Sequence, residues 1–293
     1  MKIELLSEKT IENQKKFSNP LVFHLKTNSK NIELEYVVDD IITGNFPHVS
    51  LNAREGIHLL YKTDDWKNVE YDYENSKISL DLSDILNKEK TCELLIYGPI
   101  LSNLKKLSVD INDNCYLEQI NNKDKILIAG GIHSLGIGCN VVSTMFSTII
   151  SRKMNLDPYY LVYYNRNFLE QLYNHFKDLD EFPKFKYGIL ELDYVFQDNV
   201  FVDRHLTQVI NFMMKYCENL ICWYTLPSNQ ESKKNKIFNI LEPLLNGENI
   251  ILEDSSFIYE PKYVDMCTYS NNFINDTGNI MIYKKIIKDM EVP

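Results

Sequence analysis

Apolar and polar residues alternate in short runs along the first 120 positions. Leu21–Leu25, Ile32–Val38, Ile57–Tyr61, Ile78–Leu82, Glu93–Tyr97 and Leu107–Ile111 are the main runs, and several carry apolar side chains at every second position. A period of two marks a strand with one buried face. Turn residues separate the runs at intervals of roughly ten to twenty residues, as in antiparallel sheets with short connections. The pattern predicts an antiparallel β-sandwich, jelly-roll-like, over residues 1–120.

The pattern changes at Asn121–Lys125. Ile126–Ala129 is apolar without interruption, as expected of a strand buried on both faces. From there strand-like and helix-like runs alternate. Strands are expected at Tyr160–Tyr164, Tyr187–Leu192, Leu220–Tyr224 and Asn249–Leu252. Helices are expected at Asn140–Lys153, Phe168–Phe176, Val202–Cys217, Lys233–Leu245 and Thr277–Lys288. Alternating β and α elements imply a parallel sheet covered by helices. Residues 121–293 therefore read as an α/β domain.

Composition narrows the partners. The net charge is −10, with 31 basic and 41 acidic residues, and no Lys/Arg-rich face is evident. Nucleic acid is therefore not an expected partner. Lys15-Lys16 and Lys233–Lys236 read as solvated surface. The opening residues lack an apolar stretch of signal-peptide length, and no run reaches the eighteen or so apolar residues of a membrane span. The six cysteines show no C-x-x-C spacing. They read as free thiols of a reducing compartment, and the chain as cytoplasmic. The histidines form neither H-x-x-x-H nor H-x-H, so no metal site and no cofactor are expected. Oligomeric state is not readable.

Glycine is scarce, at 10 residues, yet Gly130, Gly131, Gly136 and Gly138 fall within one segment, Lys125–Cys139. A strand runs into a flexible turn and then toward a helix. N–H groups at such a helix start can hold an anion or oxyanion. The carboxyl ends of the strands are where open α/β sheets bind ligands. No Gly-Lys-Ser/Thr closes the turn, so a P-loop is not indicated. Val141 stands where a dinucleotide fingerprint needs its third glycine. Ile132 stands where a G-x-S-x-G elbow needs its first.

The turn resembles block I of the SGNH (GDSL-type) hydrolases, in the variant with a preceding β-sandwich. The family pattern is an apolar strand followed by Gly-Asp/Ser/Thr-Ser-Ile-Thr/Ser-x-Gly. Gly130, Ser134 and Gly136 match it without gaps. Glu93-Leu-Leu-Ile-Tyr-Gly-Pro-Ile-Leu-Ser-Asn-Leu-Lys-Lys-Leu-Ser-Val resembles the end of the family's sandwich, and Phe273-Ile-Asn-Asp-Thr-Gly-Asn279 resembles its H-P-N-D-x-G-H segment. The resemblance covers nearly the whole chain. It implies a flavodoxin-like SGNH domain with a parallel sheet and flanking helices.

The same alignment places Ile132 at the nucleophilic serine, Phe273 at the catalytic His and Ser270 at its Asp. An isoleucine has no lone pair to attack a carbonyl, and the base and its orienting carboxylate are missing as well. The oxyanion glycine falls near Asn165 and the oxyanion Asn near Val195.

Two readings stay open. In the first, a non-hydrolytic pseudoenzyme binds a small ligand (an acyl ester or carbohydrate, by analogy) or a partner protein. Its pocket would comprise Gly130, Gly131, Ile132, Asn165, Asn167, Asp193, Ser270 and Phe273. In the second, an esterase or acyltransferase uses Ser134 or Cys139 as a relocated nucleophile. His133 or His205 would be the base and helix-start N–H groups the oxyanion hole. Glu191 and Asp193 end a strand, and Asp193 is expected at the sheet's carboxyl edge. Arg166 could clamp a carboxylate or phosphate.

Overall fold

The computed structural model describes residues 1–6, 20–40, 49–69, 72–74, 76–164, 168–177, 182–193, 199–227, 231–245, 249–269 and 273–290. The chain divides into two compact units, Met1–Asn121 and Asn122–Pro293.

The first unit contains β1 (Lys2–Leu6), β2 (Val22–Thr27), β3 (Asn31–Asp40), α1 (Leu51–Glu55), β4 (His58–Lys62), β5 (Trp66–Asn68) and β6 (Asp72–Glu74). β7 (Lys77–Asp81), α2 (Ser83–Leu86), β8 (Cys92–Tyr97), β9 (Ser102–Ile111) and β10 (Leu117–Gln119) follow. The strands form two five-stranded sheets, ordered β1-β9-β3-β7-β6 and β10-β2-β8-β4-β5. Every pairing in them is antiparallel. The period-two positions meet in one apolar core. Phe23 and Leu25 of β2, Leu94 and Ile96 of β8, Ile32 and Leu34 of β3, and Leu107 and Val109 of β9 are all buried there. Burying each such side chain is worth about 1.5–3 kcal/mol.

The second unit contains β11 (Lys125–Gly130), α3 (Phe146–Lys153), β12 (Asp157–Val162), α4 (Phe168–Lys177), β13 (Phe185–Glu191), α5 (Asn199–Tyr216) and β14 (Cys217–Tyr224). α6 (Glu231–Leu241), β15 (Ile250–Asp254), α7 (Val264–Cys267), β16 (Thr268–Tyr269), β17 (Phe273–Ile274) and α8 (Asp276–Met290) complete it. The main sheet is wholly parallel, in the order β12-β11-β13-β14-β15. Pro158, which lacks an N–H, sits in the edge strand β12, where that loss is tolerated. From β11 the chain goes out to β12, then returns past β11 to β13. The switch point of this doubly wound sheet lies between β11 and β13, the place where such folds leave a crevice.

Strand register fixes which side chains share a face. Glu191 pairs with Trp223, and Trp223 with Glu253. The Trp223 ring packs edge-on against Phe146 of α3 at 4.7 Å, so this row faces α3 and α8. Gly188, one residue out of phase, faces α5 instead. A Cβ there would lie 2.7 Å from Cys217 Sγ and 3.1 Å from Met213 Cε.

The helix expected from Asn140 begins six residues later, at Phe146. Gly136 and Gly138 take φ of 80° and 110°, outside the helical region, and residues 142–144 form only a 3₁₀ turn. No helix among the described residues is long and apolar enough to cross a membrane.

Candidate functional site

The turn after β11 closes over the end of β13. Its organiser is Glu191, the last residue of β13, whose carboxylate is fully buried beneath the turn. Glu191 Oε2 accepts N–H bonds from Gly131 at 3.0 Å and Ser134 at 2.7 Å, and Oε1 accepts one from His133 at 3.4 Å. Gly130 allows this close approach. A Cβ at that position would stand 2.5 Å from Glu191 Cβ and 2.9 Å from Oε2. Burial raises the Glu191 carboxyl above its ordinary range, and the N–H groups of the turn draw it back.

Two residues further on, Asp193 returns to the same face. Its carboxylate accepts hydrogen bonds from the Thr225 N–H and hydroxyl. Burial and the adjacent Glu191 charge push the Asp193 carboxyl well up. His133 Nε2 lies 3.5 Å from Asp193 Oδ2, and the ring is buried. Burial lowers the imidazole to about 4, so it is neutral at neutral pH. One donor atom from each of His133, Glu191 and Asp193 can be chosen so that all lie within 4.8 Å of one another, a set able to hold a metal ion. The sequence reading expected no metal site. Position 133 lies 58 residues from Glu191, so the trio has no linear spacing to read.

Ser134 is fully buried with its hydroxyl turned toward Glu191, not outward. Cys139 is equally buried, and burial together with the charge of Asp276 pushes its thiol far up. Neither side chain is open to solvent. His205 sits on α5, stacked on Tyr173 of α4 at 4.3 Å and 3.2 Å from Gln208 Oε1. α5 covers the sheet face opposite Glu191, so His205 is not brought to the turn. Asn165, Arg166, Asn167, Val195 and Ser270 lie outside the described residues.

Between Gly130 and Cys139 only Ile132 is not buried. Phe273 runs past the turn in β17. Gly138, at φ 110°, comes so close that a Cβ there would be 2.4 Å from Ile274 O and 3.3 Å from Phe273 Cβ. The turn's N–H groups are largely spent inward. Besides the three on Glu191, those of Leu135, Gly136, Ile137 and Cys139 bond to carbonyls within the turn.

The segment Asn275–Asn279 has a structural job that the sequence did not announce. The Asn275 side chain caps α8 by accepting the Gly278 N–H at 3.0 Å. Asp276 accepts the Asn140 N–H at 3.0 Å and is also bonded by the Thr144 hydroxyl. Asn279 accepts the N–H of Phe146 at 3.0 Å, capping α3. These residues stitch the last helix to the chain that follows the glycine turn.

No protein-family model matches the chain, and no curated protein matches its sequence. Solved structures do match. A protein described as a GDSL-like lipase from Bacteroides ovatus superposes with a TM-score of 0.71 at 17% identity, over 96% of this chain and 86% of that one. A salicylyl-acyltransferase from a tetracycline biosynthetic pathway gives 0.61 at 14% identity, over 92% and 81%. A carbohydrate esterase whose active site displays divergent catalytic and non-catalytic binding functions gives 0.54 at 10% identity, over 94% and 91%. With its parallel sheet, its turn at the switch point and its N-terminal β-sandwich, the chain has the fold of the SGNH (GDSL-type) hydrolases.

Proposed function

We propose that the chain is a pseudoenzyme of this fold, which binds a small acyl ester or carbohydrate, or a partner protein, without breaking a bond. One observation carries the reading. The turn offers solvent a single side chain, Ile132, at the position that the family resemblance gives to the nucleophile, while the hydroxyl of Ser134 and the thiol of Cys139 are buried. A nucleophile must reach its carbonyl and an adjacent base. Ser134 faces a carboxylate, and the buried neutral His133 faces Asp193. The carbohydrate esterase with non-catalytic binding functions supports the idea that an active site of this fold can serve as a receptor.

The test is reaction with a fluorophosphonate probe and with p-nitrophenyl acetate, using wild type, Ser134→Ala and Cys139→Ala in parallel. No labelling and no turnover above buffer are expected in any of the three. Labelling or turnover that is present in wild type and lost in one variant would overturn the proposal and name the nucleophile.

A further inference from the structure

Two carboxylates, Glu191 and Asp193, lie side by side in the interior of the second unit. Among the described residues, no Lys or Arg forms an ion pair with either. A buried charge is normally paired or bound to a metal. The basic side chain at hand is His133, whose ring is buried with Nε2 3.5 Å from Asp193 Oδ2, and an imidazole nitrogen is a common metal ligand.

The spacing admits a shared cation, with one donor atom from each of the three within 4.8 Å of the others. His133 Nε2 and Asp193 Oδ2 are 3.5 Å apart, at the long limit for a hydrogen bond. Two ligands bound at about 2.1 Å on one tetrahedral ion stand about 3.4 Å apart. Glu191 Oε1 accepts a long bond from His133 N–H, at 3.4 Å. A fourth group points the same way. Ser134 Oγ is fully buried and turned toward the Glu191 carboxylate. The same point, a Cβ built on Gly130, lies 2.7 Å from Ser134 Oγ and 2.9 Å from Glu191 Oε2, so hydroxyl and carboxylate converge there.

We propose that His133, Glu191 and Asp193, with the Ser134 hydroxyl beside them, form a buried divalent-cation site that pins the glycine turn to the end of β13. One nitrogen and two carboxylate oxygens suit zinc or manganese, and a charge of two neutralises the pair of carboxylates. The site is closed to solvent, so the ion would be structural and taken up during folding.

The full chain is unfolded and refolded in EDTA, in Zn²⁺ or in Mn²⁺, then freed of loose metal. Bound metal is measured by mass spectrometry and melting by calorimetry. The expected result is about one equivalent of one of these metals and a melting temperature several degrees above the EDTA sample. His133→Gln and Asp193→Asn should lose the metal, while Glu253→Gln, outside the cluster, should keep it. The EDTA comparison uses wild type alone, so it decides even if the variants fail to fold. Less than about 0.1 equivalent with identical melting in all three refolded samples would overturn the proposal and leave the cluster holding a proton only. Full metal retention in both cluster variants would overturn it too, by placing the ion elsewhere.

Discussion

Replacing Gly138 with alanine tests whether the close approach of the turn to β17 is a fixed part of the fold. Two independent costs meet at this position. The backbone sits at φ 110°, where an L side chain is strained by about 1–2 kcal/mol. The added Cβ would lie 2.4 Å from Ile274 O and 3.0 Å from Ile274 C. Both are backbone atoms of β17, so relief requires the strand to move and not a side chain to swing. Overpacking of this kind costs about 1–3 kcal/mol. Together the two give about 3 kcal/mol, or roughly 6–12 °C for a unit of this size. The assay is calorimetry of wild type and Gly138→Ala, with Gly98→Ala as the control. At Gly98 the nearest atoms to an added Cβ are at 3.5 and 3.6 Å, ordinary contact, so that variant should stay within about 1 kcal/mol of wild type. A Gly138→Ala protein that melts within about 2 °C of wild type, or a Gly98→Ala protein that loses as much, would refute the reasoning.

Three further outcomes are expected. Burial, reinforced by Asp289 and opposed by Lys285, pushes the Glu253 carboxyl up to about 7. The folded state then binds this proton more tightly than the unfolded chain does, so its contribution is full below about pH 4.5 and lost as pH rises to 7. Denaturant titrations should show stability falling across that window, with about 1–2 kcal/mol of the fall due to Glu253 after discounting for solvent screening and absent in Glu253→Gln. Cys139 and Cys222 are fully buried, so in native protein a thiol reagent should modify the half-buried Cys115 first; peptide mapping that finds Cys139 labelled before unfolding would contradict the geometry. Asn279→Ala removes the acceptor for Phe146 N–H and the donor to Ile274 O and Asn275 O, and should cost about 2–3 kcal/mol, with faster amide exchange at Phe146 as its local mark.

Much of this was legible in the chain because single periods carried it. Strict alternation in Ile32–Tyr36 and Ile78–Leu82 marked sandwich strands whose inward residues all reach one core. The unbroken run Ile126–Ala129 marked an interior strand of the parallel sheet, buried on both faces. The site was less legible, since it depends on closures between distant segments. The two-residue spacing of Glu191, which ends β13, and Asp193, just past it, does turn both side chains to the same side. What it cannot convey is that the turn 58 residues upstream folds over Glu191 and buries it as an acceptor. Cys139 followed a glycine turn and so suggested a helix start with a lowered thiol. In the structure the positive-φ glycines delay the helix to Phe146, and the helix N-terminus that would activate the thiol lies elsewhere. His205 follows the third strand of the sheet, but α5 carries it to the opposite face.

The inward direction of the turn bears on the proposed reading. An oxyanion hole needs N–H groups aimed at the space where a carbonyl oxygen would gain charge. Here the N–H groups of Gly131, His133 and Ser134 are aimed at Glu191. The N–H of Asn140 is held by Asp276, and that of Phe146 by Asn279. On the proposed reading these N–H groups hold the shape of the turn and are not offered to a substrate. The same bonds make the turn a rigid platform, since its shape is set by a buried carboxylate and not by the groups of a reaction. On the proposed reading, a platform of that kind would hold Ile132 and the side chains around it in fixed positions for a ligand.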